Sequence, residues 1–363
     1  MTSQSRKRVA VVGATGIAGQ QFLVALDRHP WFDVVKLAAS ERSAGKPYGE
    51  AIRDARTGAA RWWCLEPPPS SLLDLLVENG ESLDLDGIDV VFSAVESEAA
   101  RVLEAEYART TAVLSTASAF RYEDDVPIMV PGVNGPHAAE IERQRRRRGW
   151  RGFIVPLPNC TTMGLAVTLK PLLDRFGVQG VVMTSMQGVS GAGLSPGVAA
   201  LEILDNVIPY IPGEEEKVAR ETGKVLGVVG ETGITPATFP VSATCTRVAV
   251  TEGHTEAVTV SLGRRASTAE VASAFRDFGG DLAGLGLPSA PARLITVHDD
   301  PFRPQPRLDR DADGGMTTSV GRIREDRVLP NGIKYVLVSH NTKMGAARGA
   351  VLAAEYLASA GYV

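Results

Sequence analysis

The chain of 363 residues is 44% hydrophobic and 22% charged, with a formal net charge of −4. That length exceeds what one core usually serves and implies two domains. So small a net charge supplies no electrostatic pull toward nucleic acid or an anionic membrane, and neither is expected as a partner.

From the start, MTSQSRKRVAVVG carries basic residues, but its apolar run is short and leads into glycines. It reads as a first strand, not a signal peptide. IAGQQFLVALDRHP reads as a helix closed by His29-Pro30 in a surface turn. VVKLAAS is a second strand and IDVVFSA a later one, followed by a helix through SEAARVLEAEYAR. TAVLST and PIMVP read as short strands, GFIV as strand-like, and AAEIERQRRRRG as a helix ending at Gly149. The arginines 145–148 read as a solvated helix end favoured by the dipole rather than as a phosphate patch. This alternation predicts a doubly wound parallel sheet.

Beyond residue 156 longer strands appear: GVVMTSMQG, CTRVAVTEG, EAVTVSLG, PARLITV and IKYVLVS. Helices are expected over 160–174, 196–206, 213–226 and 268–277, and GAARGAVLAAEYLAS has amphipathic spacing. The second part therefore reads as α+β with a mostly antiparallel sheet. No segment approaches the uninterrupted apolar length of a membrane span.

GATGIAG follows the first strand and opens the first helix. Its glycines permit a tight turn and close approach to a pyrophosphate, which the free N–H groups of the helix start would hold. Gly13, Thr15, Gly16, Ile17 and Ala18 are the candidate cradle, and the first sheet is then of Rossmann type. The second strand runs into Ser40-Glu41-Arg42-Ser43. An arginine between two serines suits a 2′-phosphate, so Ser40, Arg42 and Ser43 point to NADP(H), with Glu41 turned to solvent.

Three cysteines, Cys64, Cys160 and Cys245, are too widely spaced for a disulfide framework or a CxxC metal pair. No metal is expected, and the expected compartment is a reducing cytoplasm. Cys64 and Cys245 read as small core residues. Cys160 lies in PLPNCTTMG, between a strand-like and a helix-like segment. It is either plain core or a nucleophile whose thiolate is favoured by a helix N-terminus. In the second case the same N–H groups suit an oxyanion. A nucleophilic thiol needs a base. The candidates are His29, His137, His254, His298 and His340, and spacing alone does not choose among them.

Taken together, GATGIAGQ, LAASERSAGKPYG, PNCTTM, QGVSGAGLSPG, ILDNVIPYIPGEEEKVARET, TRVAVTEGHTEAV, RPQPRLDRDADGGMTTSVGRIR and SHNTKMGAARGA resemble the aspartate-β-semialdehyde dehydrogenase family in its archaeal and fungal branch. The resemblance runs over nearly the whole chain. It implies NADPH-dependent reduction of L-aspartyl-4-phosphate to the semialdehyde and phosphate through a cysteine thioester. It implies Cys160 as nucleophile, His254 as acid/base and Gln187 beside the thiol. Asn159, Glu214, Lys217, Arg247 and Arg121 are implied on the substrate, with Arg247 on its carboxylate and Arg121 on phosphate. Ser190, Gly191 and Asn341 are implied on the cofactor. The implied organisation is an NADP-binding domain of 1–157 plus 341–363 and a catalytic and dimerisation domain of 158–340, in a homo-oligomer.

Several positions depart from the family pattern: Thr116 for Asn, Phe120 for His, Val95-Glu96 for Leu-Pro, Gly132 for Glu, Met344 for Arg and Arg348 for Gly. They lie around cofactor and phosphate, away from Cys160, His254 and Arg247. Two alternatives therefore stay open. One is the same chemistry on a related acyl phosphate or a CoA thioester. The other is a non-catalytic paralogue serving as a binding subunit.

Overall fold

The computed structural model describes residues 6–194 and 197–363. The opening MTSQS and the Ser195-Pro196 step of QGVSGAGLSPG lie outside the described residues.

Six parallel strands form the first sheet: β1 (Lys7–Val12), β2 (Phe32–Ala39), β3 (Val77–Asn79), β4 (Val90–Ser93), β5 (Ala112–Ser115) and β6 (Phe153–Pro156). Their order is β3-β2-β1-β4-β5-β6, the doubly wound arrangement that reverses direction between β1 and β4. At that switch point the chain turns at Gly13, whose φ is +80°. A Cβ there would lie 2.4 Å from the carbonyl oxygen of Ala94, so only glycine fits.

Pro127–Pro131, read above as a strand (PIMVP), is buried but joins no sheet. The reason is chemical. Pro127 and Pro131 bracket it and donate nothing to a ladder. The Asn134 side chain instead accepts from the Val130 N–H at 2.7 Å and donates to the Ile128 carbonyl at 2.8 Å. His29 is likewise not in a surface turn. It is buried, with Nε2 2.9 Å from Glu355.

Past β6 the chain enters the helix Cys160–Phe176, which lies across a second sheet. The strands of that half are β7 (Val178–Gln187), the ribbon β8 (Val228–Gly230) and β9 (Gly233–Thr235), β10 (Val241–Arg247), β11 (His254–Leu262), β12 (Ile295–Val297), β13 (Thr318–Glu325) and β14 (Gly332–Ser339). The sheet order is β10-β7-β11-β14-β13-β12. Its three central pairings are antiparallel and the two outer ones parallel. The stretch read as CTRVAVTEG is a strand only to Arg247. Its remainder is the loop that carries Glu252 and Gly253. Of the helix expected over 196–206, Ala200–Ile203 is helical among the described residues. The final helix, Arg348–Ser359, packs back on the first sheet and on the helix Ile17–Leu26. No helix among the described residues is long and apolar enough to cross a membrane.

The register of the second sheet sets the site. Arg247 pairs with Gln187, and His254 with Ser339, so all four sit at one end of the sheet. Two residues along β11 from His254, Glu256 is fully buried, and neither carboxyl oxygen has a hydrogen-bond partner among the described residues. Burial raises its pKa well above the ordinary carboxylate value. The folded state thus holds this proton more tightly than the unfolded chain. The stability linked to it is complete below the unfolded value of about 4.3 and is lost as pH rises above it. Glu256→Gln is therefore expected to raise Tm more at pH 8 than at pH 5. Equal shifts at both pH values in a thermal melt would show that the carboxyl is not the source.

Candidate active site

Cys160 is the first residue of its helix because Asn159 caps it. The Asn159 Oδ1 accepts the N–H groups of Thr161 and Thr162 at 2.9 and 3.4 Å. Such a cap stabilises a helix by about 1 kcal/mol. The Asn159 Nδ2 donates to Glu214 Oε1 at 2.8 Å, and Gln187 Nε2 donates to the same oxygen at 3.2 Å.

The sulfur of Cys160 lies 3.2 Å from Nε2 of His254. The two residues are 94 positions apart in sequence and meet only because the helix covers the end of β11. On the far side of the ring, the Gly188 N–H donates to Nδ1 at 3.2 Å. That contact favours a neutral ring with its proton on Nε2, facing sulfur. Burial and then Arg247 depress the imidazole pKa to about 3, while the Gly253 carbonyl works the other way. Burial and then Glu214 push the thiol up to about 12, against the pull of Arg247 and Arg121. The site therefore holds a neutral thiol beside a neutral imidazole.

Arg247 is 6% exposed and donates Nη1 to the Gly188 carbonyl at 2.8 Å. Among the described residues it pairs with no carboxylate. A buried guanidinium without a counter-ion is costly, so this fork is suited to an anionic ligand. Arg121 is also buried, with Nη1 3.1 Å from Glu221 Oε1 and Nη2 on the Thr116 carbonyl at 2.9 Å. Lys217 is half-buried on the same helix as Glu214 but forms no ion pair with it, since Glu214 serves Asn159 and Gln187.

The cofactor side meets this cluster at Asn341. Its Oδ1 accepts the Gly253 N–H at 2.8 Å and its Nδ2 donates to Ser190 Oγ at 2.8 Å. Gly191 lies against Arg247 and His254. At the other end, the helix Ile17–Leu26 starts at Gly16 with no side-chain cap and no acidic residue in its first turn. The N–H groups of Ile17 and Ala18, beside Thr15, are thus left to a ligand, as a pyrophosphate requires. Ser40, Arg42 and Ser43 form the turn leaving β2, with Arg42 and Glu41 both exposed. These residues fit a dinucleotide carrying a 2′-phosphate.

Two residues here had no sequence-level role. One is Glu221. The other is Gly345, where a Cβ would lie 2.9 Å from the Cys160 Cβ. Gly345→Ala is expected to displace the 343–347 turn, cost about 1–3 kcal/mol of stability and lower turnover by at least about tenfold. An alanine variant with wild-type Tm and kcat would remove this contact from the argument. The neutral thiol has its own signature. Alkylation by iodoacetamide is expected to be slow at neutral pH and to keep rising into the alkaline range. A plateau below about pH 8 would reveal a preformed thiolate instead.

A dinucleotide cradle at the ends of one sheet and a thiol–imidazole pair at the end of the other define a dehydrogenase that works through cysteine. Residues 8–141 match the family model described as semialdehyde dehydrogenase, NAD binding domain, and residues 169–344 match semialdehyde dehydrogenase, dimerisation domain. The aspartate-semialdehyde dehydrogenase of Methanothermobacter thermautotrophicus is 47% identical over 349 residues, covering 96% of this chain and 98% of the relative. The crystal structure of aspartate semialdehyde dehydrogenase with NADP from Candida albicans superposes with a TM-score of 0.87 at 39% identity, covering 99% of this chain and 100% of that one. Aspartate semialdehyde dehydrogenase II from Vibrio cholerae, complexed with ASA, superposes with a TM-score of 0.75 at 28% identity, covering 98% of this chain and 99% of that one. The chain belongs to the semialdehyde dehydrogenase family.

Proposed function

We infer that the protein reduces L-aspartyl-4-phosphate to L-aspartate-4-semialdehyde and phosphate, with NADPH as reductant and Cys160 as the covalent carrier. The observation that carries this reading is the pairing of a thiol–imidazole contact with a buried arginine that lacks a counter-ion among the described residues. The first supplies a nucleophile and a proton carrier, the second a seat for a carboxylate.

Arg247 forks onto the substrate carboxylate, and Glu214 with Lys217 receives the amine and phosphate ends. Arg121 holds the phosphate. With the ring in its other tautomer, its Nδ1 proton on the Gly253 carbonyl, sulfur attacks the carbonyl carbon and its proton passes to the free Nε2 of His254, 3.2 Å away. Because neither ion exists beforehand, this transfer accompanies S–C bond formation. The C–O bond to phosphate breaks, and the leaving oxygen takes the proton back from Nε2. Asn341 would hold the nicotinamide, and NADPH when bound would supply the hydride that reduces the thioester. When the C–S bond breaks, aldehyde is released and the thiolate is reprotonated from solvent.

For the organisation we propose an NADP domain of 1–157 plus 341–363 and a catalytic domain of 158–340. One face of the second sheet carries the helix of Cys160. The other exposes Val182, Thr184, Thr244 and Ala257, and a second copy of the chain is the proposed cover, in line with the family description for this region. All three cysteines are free, as a reducing cytoplasm keeps them.

The test runs the reaction backwards. Protein given aspartate semialdehyde, phosphate and NADP is expected to form NADPH only when phosphate is present. Cys160→Ala is expected to lose this activity while still binding NADP. Turnover that survives in the alanine variant refutes the cysteine mechanism. NADP binding without phosphate-dependent turnover in the wild type refutes the acyl donor and redirects the search to CoA thioesters.

A further inference from the structure

The helix Glu214–Val225 presents Glu214, Lys217, Glu221 and Lys224 along one face by their spacing. The first two serve the substrate in the reading above. The other two hold a different part of the site. Glu221 is 0% exposed. Its Oε1 accepts Nη1 of Arg121 at 3.1 Å and the Tyr122 hydroxyl at 3.0 Å. Its Oε2 accepts the N–H of Asn159 at 2.5 Å. Lys224 Nζ donates to the carbonyls of Arg121 and Glu123 at 2.8 and 2.7 Å. One helix thus holds Arg121 by side chain and by backbone, and also holds the peptide just before the nucleophile.

This pose does not satisfy the guanidinium best. The pair is single-pronged rather than bidentate, and the buried Nε of Arg121 has no partner among the described residues. An unpaired buried donor of this kind costs about 1–3 kcal/mol. A contact built for stability alone would have used the whole fork.

We propose that Glu221 is a positioning residue: it locks Arg121 and the Asn159 peptide into one frame, fixing the phosphate-holding group relative to the attacking sulfur. The proposal rests on Arg121 as the phosphate partner in the reaction assigned above. It does not require Glu221 to touch substrate.

The test is steady-state kinetics in the phosphate-dependent direction for wild type, Glu221→Gln and Tyr122→Phe. Glutamine has one acceptor oxygen and one NH2, so it turns a donor against either Asn159 or the Arg121–Tyr122 pair. The expected result is a phosphate KM raised about tenfold or more, a lower kcat, and an aldehyde KM within about twofold of wild type. A purely structural role would lower kcat with both KM values unmoved or moved together, and that pattern overturns the proposal. Tyr122→Phe removes one donor without introducing a mismatch and keeps the test alive if the glutamine variant does not fold. Its expected phosphate KM rises about two- to fivefold, and an unchanged value overturns the proposal. Wild-type turnover with unchanged phosphate KM in the variants overturns the positioning role alone. Absence of phosphate-dependent turnover in the wild type overturns the reaction and this role together.

Discussion

The site depends on how Asn159 is held. Its Oδ1 caps the helix that Cys160 begins, its Nδ2 reaches Glu214, and its N–H reaches Glu221. Three independent contacts therefore locate the peptide next to the sulfur. Two of them come from a single helix, which also carries the groups assigned to the substrate. The sulfur is placed against His254 by the first sheet's last strand, which delivers the chain to Asn159, and by the second sheet, which presents the imidazole at its end. A displacement of about 1 Å in this arrangement would separate a pair that transfers a proton directly.

The surrounding charges are arranged around that contact. Arg121 has Glu221 as its counter-ion, whereas Arg247 has none among the described residues, so the site is electrostatically incomplete at the place assigned to the substrate carboxylate. Behind His254, a second polar cluster joins the two halves. His340 is fully buried, 3.7 Å from Glu252 and 3.5 Å from Asp311. Lys343 reaches both Glu66 and Asp311 at 3.3 and 3.1 Å. Asp311 is held below the usual carboxylate range first by His340 and then, against the cost of burial, by Lys343. Glu66 belongs to the first half of the chain and Asp311 to the second. The cluster thus fixes the crevice in which Asn341, the neighbour of His340, meets Ser190.

Much of this was legible in the chain. Strand–glycine–helix punctuation located the first sheet and the cradle, because glycine tolerates positions no other residue does. The β3 strand was too short to show a period. PIMVP was apolar for burial alone, with its polar backbone served by Asn134. In the site, the polar run around Cys160 was visible, but spacing did not choose its partner, which only the family resemblance supplied, because the sheet register alone brings His254 to it. Glu221 has a signal in the sequence: acidic and basic residues recurring at 214, 217, 221 and 224 describe a charged stripe, and a stripe that long has to face something. Gly345 had none, since a glycine near a helix start looks the same whether it faces solvent or sulfur.

The departures from the family pattern bear on the choice of acyl donor, and the structure gives most of them ordinary packing roles. Phe120 is buried, with the guanidinium groups of Arg101 and Arg148 over its ring at 5.4 and 5.8 Å. Thr116 contributes its carbonyl to Arg121, a service any residue provides. Met344 is buried, its sulfur 3.7 Å from the Thr318 hydroxyl. Arg348 donates to the Gly314 carbonyl at 2.8 Å. None of the four adds an unengaged cation or removes a group that touches Cys160, His254 or Arg247. A donor such as a CoA thioester would need new contacts for a large nucleotide, and these substitutions instead fill space and satisfy backbone. The thiol–imidazole contact and the Arg247 guanidinium near it are therefore left unaltered by these departures.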